Sequence, residues 1–149
     1  MSEKNISRAD GEDQKLLALW AADCAEHVIH LFEEAMPGEV RPRQAIEAVR
    51  AWARGEVKCG KSREAAFAAH AAAREAKEQN LQAACAVARA CGQAAGVAHM
   101  AGHAPHAAAY AQQAVSFANP DDAATAAAAE REWQIQHLPE HLRAVVFPD

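Results

Sequence analysis

The sequence predicts an all-α fold: an irregular single-domain bundle of six or seven helices with close Ala/Gly packing. Three observations carry that prediction. Hydrophobic residues make up 51% of the chain, yet much of this is alanine, which favours helix and brings little area out of water per side chain. Apolar residues recur at three- and four-residue steps, and no run competes as a strand. Proline and glycine mostly fall between the periodic segments, with Gly92 and Gly96 as exceptions. A core built this way is thin, so helices must approach closely to gain the dispersion contacts that larger side chains would supply.

Residues 1–11 are polar, end in Gly11 and read as a flexible lead-in to a single domain over 12–149. The first helix spans 12–36. Leu17, Trp20, Cys24, Val28, Leu31 and Ala35 form its stripe, with Asp23, Glu26, Glu33 and Glu34 away from the centre. As the most apolar helix it is expected at the middle of the bundle. Pro37-Gly38 ends it, and Pro42 opens a second helix whose inward face carries Ile46, Val49, Trp52 and Ala53 before Gly55 closes it. A connector over 56–61 carries Cys59. Ser62 is placed to cap a third helix running to Glu78, with Phe67, His70 and Arg74 on one face.

The fourth helix starts near Asn80 and passes Leu81, Cys85, Ala88, Gly92, Gly96 and His99. A glycine inside a helix costs about 1 kcal/mol relative to alanine, so two of them one turn apart imply close backbone packing. Polar neighbours rule out a membrane Gly-x-x-x-Gly motif. Gly102 and Pro105 bend the chain, after which 107–118 resumes with Tyr110, Ala114 and Phe117 on one side. Asn119-Pro120-Asp121-Asp122 supplies a cap, a first-turn proline and two carboxylates at the positive end of the next helix dipole. That helix runs to His137 with Ala126, Ala129 and Trp133 inward and Glu130 and Glu132 on an exposed rim. Leu138-Pro139 leads into a short last helix, tied down by Leu142, Val145, Val146 and Phe147. No fixed period returns the same residues, which excludes a solenoid.

A formal net charge of -5 argues against a nucleic-acid partner, because phosphate binding needs clustered Lys and Arg. Cys24, Cys59, Cys85 and Cys91 form no Cys-x-x-Cys pair and read as reduced thiols. No stretch is apolar for long enough to span a bilayer, and the N-terminus lacks a targeting pattern, so a cytoplasmic protein without a membrane partner is expected. A homodimer through Trp20 or Trp133 is the arrangement to look for if either indole is exposed.

The chemistry-bearing residues gather between Arg89 and Tyr110, where His99, His103 and His106 fall at four- and three-residue steps. Two readings follow. His99 and His103, joined by His70, could chelate a divalent transition metal, as a metal-binding bundle or a metal-dependent enzyme would. Alternatively, His99 and His103 satisfy carbonyls and amides freed at the helix break, with the Tyr110 hydroxyl tied into the same network and no cofactor. The stretch contains no Asp or Glu to orient a ligand or act as base, which weighs against a hydrolytic zinc motif. His106, His137 and His141 read as surface or boundary residues. No Gly-x-Ser-x-Gly elbow, phosphate loop or dinucleotide fingerprint occurs, so no catalytic residue is assigned. Cys91 beside His99 reads as packing, not as a nucleophile.

Four segments together carry a likeness to known proteins. They are Arg-Pro-Arg-Gln-Ala-Ile-Glu-Ala-Val-Arg-Ala-Trp at 41–52, Ala-Ala-Phe-Ala-Ala-His-Ala-Ala-Ala-Arg at 65–74, Ala-His-Met-Ala-Gly-His-Ala at 98–104 with Tyr110-Ala111, and Glu132-Trp133-Gln134 before Leu138-Pro139. In that order they resemble the all-helical immunity proteins of bacterial toxin systems, the immunity-protein-five-like group, over residues 12–147. The resemblance implies a protein that binds a cognate toxin and blocks it without turnover. It also implies structural or binding roles for Arg41, Pro42, Trp52, His70, Arg74, His99, His103 and Tyr110, the positions that recur in the family. Were the toxin a basic nuclease, Glu26, Glu33, Glu34 and Glu39 would steer it.

Overall fold

Small side chains leave room for neighbours on every side of a helix, and here the helix richest in them is the one that packs against four others. The computed structural model describes residues 11–148. Its central element is α4 (Gln82–Gly96), most of which is buried, including Ala84, Ala88, Cys91, Gly92 and Ala95. It packs against α1 (Gly11–Ala35), α2 (Arg41–Ala53), α3 (Cys59–Glu78) and α5 (Ala104–Ala118), most extensively against α3 and α5. The apolar α1, expected at the centre, instead packs on α2, α4 and α5. Greasiness measures how much area a helix can bury, whereas the number of neighbours it accepts depends on how slim it is. Two further helices, α6 (Ala123–His137) and α7 (Glu140–Val146), complete an all-α domain of seven helices with no strand among the described residues. Residues 1–10 of the expected lead-in lie outside the described residues, and Gly11 belongs to α1.

The large core side chains are few and come mainly from α1 and α2: Leu17, Trp20, Val28, Phe32, Ile46 and Val49 are all buried. Burying a side chain such as Phe32 contributes about 2 kcal/mol, while the alanines around it fill space and set the helix spacing. The expected stops hold. Gly38 and Gly55 take φ of +85° and +78°, the left-handed region that follows a helix end, and Pro42 occupies the first turn of α2.

Three local expectations are corrected. Ser62 is no cap, since α3 begins at Cys59; it is fully buried, and its hydroxyl donates to the carbonyl of Ala95 on α4 at 2.8 Å. Asn119 caps nothing ahead of it. Its amide donates back to Val115 at 2.8 Å, and a 3-10 turn, Pro120–Asp122, precedes α6. Glu130, placed on an exposed rim, is buried along with Gln134, whereas Ala129 is exposed.

The reason lies in what α6 must satisfy. The indole N–H of buried Trp20 needs an acceptor and donates to the Gln134 carbonyl at 2.8 Å, one of the last-turn carbonyls that lack helical partners. The Gln134 side chain donates to Ala108 at 3.0 Å and accepts from Gln112 at 2.8 Å. His27 of α1 pairs with Glu130 at 2.7 Å and stacks on Trp133 with ring centroids 3.7 Å apart. Alanine methyls could not compete with that set of polar demands. Leu142 and Val146 then bury α7, and Phe147 meets Trp20 edge-on at 5.8 Å.

Candidate functional site

Gly92 and Gly96 lie one turn apart on α4, and each accommodates an imidazole ring. A Cβ at Gly92 would sit 2.6 Å from both Cε1 and Nε2 of His70, which reaches across from α3. A Cβ at Gly96 would sit 3.0 Å from Cδ2 of His103. At both glycines the nearest atoms belong to an imidazole of a neighbouring segment, so the missing side chains make room for histidine rings where the segments pack closely. His103 Nδ1 also donates to the Gln93 side-chain oxygen at 2.8 Å.

Burial pushes the His70 imidazole below its ordinary range, and nearby Arg89, Arg74 and His103 push it the same way. For His103 burial again acts first, followed by His106 and His99. Each ring is thus disfavoured as a cation, and each protonation would raise the cost of the other.

The helix break does not use its histidines as expected. α4 ends at Gly96, so His99 falls in the following turn, exposed, and the face that an unbroken helix would have offered is lost. The carbonyls released there are satisfied by other helices. Ser62 takes Ala95, and the Gln14 amide of α1 donates to Val97 and Ala98 at 2.9 and 3.3 Å. Gln14 gave no sequence signal beyond being polar, and the signal at Ser62 pointed to a helix cap instead. Among the described residues no group of three or more His, Cys, Asp or Glu could hold a metal ion. His70, His99 and His103 are accordingly not gathered into a ligand set. Cys91 is fully buried, and that burial pushes its thiol far above the ordinary cysteine range, so it is no partner for His99.

The other residues expected from the resemblance lie in or near two regions. In the seam between α1 and α2, Arg43 bonds Glu26 at 2.6 Å and Glu33 at 2.9 Å, while Arg50 bonds Glu26 at 3.0 Å and Asp23 at 2.9 Å. Arg41 grips Glu39 at 2.5 Å and also pairs with Glu75 on α3. Burial alone would raise the Glu26 carboxyl, but hydrogen bonds from Arg50 and Arg43 outweigh it and hold it below the usual range. The Arg41 hydrogen bond does the same for Glu39. Three of the four carboxylates expected to steer a basic toxin are therefore neutralised within the molecule, leaving Glu34. Pro42 is buried in this seam, and Trp52 packs half-buried against the core.

The second region is a groove of about 350 Å³ lined by residues of α3, α4 and α5, among them Lys77, Arg89, Tyr110 and Phe117. Arg74 is exposed on α3 one turn before Lys77. The Tyr110 hydroxyl, expected in the histidine network, makes no hydrogen bond among the described residues, and its half-buried ring forms part of the groove. Trp20, 2% exposed, offers no dimer contact, and Trp133 is stacked against His27 and His137.

The fold and these two regions define a small helical domain with charged and aromatic side chains arrayed over a close-packed alanine interior. No helix of the described residues is long and apolar enough to cross a membrane. The chain belongs to the family described as "Imm-5 like putative immunity protein", whose model matches residues 8–141. No curated protein and no solved structure matches it.

Proposed function

We propose that this protein binds a cognate bacterial toxin and blocks it by forming a stoichiometric complex, with no turnover of its own. Membership of the immunity family over residues 8–141 carries the reading. The placement of His70 and His103 supports it, because both rings are packed into glycine notches on α4, as fasteners between helices are. The neighbouring reading frame supplies the test. Its product is expressed alone and together with this protein, and the purified pair is mixed in a calorimeter. Rescue of growth with a one-to-one complex is expected; rescue without any complex would sink the proposal. No specific observation favours the metal-dependent alternative. Elemental analysis of untagged protein, with His99→Ala as control, is expected to find no stoichiometric zinc, nickel or iron.

A further inference from the structure

Lys77 and Arg89 line the same groove as the rings of Tyr110 and Phe117, the latter 46% exposed. The cationic character extends beyond the groove. Along α3, Arg63, Phe67, His70, Arg74 and Lys77 recur at four- and three-residue steps and so share one face, on which Phe67 is 61% exposed. Among the described residues none of Arg63, Arg74, Lys77 and Arg89 forms an ion pair, in contrast to Arg41, Arg43 and Arg50 of α2. Glu78, next to Lys77 in the chain, forms none either. In a protein of net charge -5, unpaired cations collected beside exposed aromatic rings are a local reversal of sign. Such a surface complements a carboxylate carried next to an apolar side chain: the guanidinium presents a fork matched to the carboxylate, and the rings take the apolar neighbour.

The geometry points to this groove as the docking surface for an acidic segment of the toxin, in which Asp or Glu meets Arg89 and Lys77 while an adjacent apolar side chain packs on Tyr110 and Phe117. The inference rests on the immunity reading and gives it a location. A stable complex buries about 800 Å² on each partner, more than one groove of this size provides. The α3 face through Arg74 and Phe67 is the direction in which the contact extends.

The test uses the full chain and the purified product of the neighbouring reading frame, titrated by calorimetry. Arg89→Gln is expected to weaken binding about 100-fold and Lys77→Glu about 10-fold. Glu47→Lys, an exposed site on α2, should leave it unchanged, and wild-type affinity should fall as salt rises. Circular dichroism checks that each variant is folded. If Arg89→Gln is not, Lys77→Glu decides, since that side chain is exposed on α3. A complex that survives both groove variants overturns the groove and leaves the immunity reading standing. Equal loss in Glu47→Lys also overturns the groove, by showing a general effect of charge. Absence of any wild-type complex overturns both.

Discussion

In the seam between α1 and α2, Arg43 and Arg50 share Glu26 and reach out to Glu33 and Asp23, so each guanidinium is committed inside the molecule. Lys77 and Arg89 line a groove, and Arg74 lies one turn before Lys77 on α3, with no carboxylate paired to any of the three among the described residues. The residue types are the same, but the seam arginines hold two helices together while the groove cations remain available to another molecule. Net charge alone would have assigned recognition to the acidic side. Pairing reverses that assignment, because a carboxylate already bonded to arginine exerts little field at a distance, whereas an unpaired guanidinium keeps its own.

Charge reversal at the two regions tests the comparison most severely. Arg43→Glu places a third carboxylate against Glu26 and Glu33 and should destabilise the fold by about 1.5 kcal/mol in urea melts. Arg74→Glu, exposed and unpaired, should change stability by no more than about 0.5 kcal/mol. Similar losses at both positions would break the distinction.

A smaller effect is expected at the glycine notches of α4. Gly92→Ala adds a methyl where His70 now sits, so the ring must swing out. In a His70→Ala background the same change should stabilise the helix by about 1 kcal/mol through propensity. A double-mutant cycle should therefore show coupling of about 1 kcal/mol, and additivity would mean that His70 does not occupy the notch.

Acid should loosen the same region. His70 and His103 have folded pKa values below those of the unfolded chain, so the unfolded state binds more protons between the two values. Stability is then complete above the ordinary imidazole range and declines as pH falls through about 6.5 towards the folded values. The carboxylates held down by arginine, Glu26 and Glu39, lose their contribution only at lower pH. Thermal melts between pH about 7.5 and about 5.5 should show a falling Tm that is flattened in the His70→Gln/His103→Gln variant.

The least dramatic readout concerns the thiols. Cys59 is exposed, and Cys24, Cys85 and Cys91 are buried. A thiol reagent should modify Cys59 alone in the native protein and the other three only in denaturant. Rapid native labelling of Cys91 would show that α4 is not the sealed centre of the bundle.

Helix identity was legible from the chain because periodicity, proline and glycine act through nearest neighbours. Pro42, Gly38 and Gly55 start or stop helices wherever the rest of the protein lies. The family resemblance was legible too, since order along the chain is itself sequence information. Which face of an alanine-rich helix turns inward was decided only in three dimensions. Methyl groups differ little from one another in the area they bury, so distant polar partners cast the deciding vote. Trp20 and His27 set the face of α6 through Gln134 and Glu130, and Gln14 and Ser62 close the end of α4. The same holds for the charges. Composition counts arginines and glutamates, but only tertiary packing determines which of them are neutralised by a partner and which are left facing a groove.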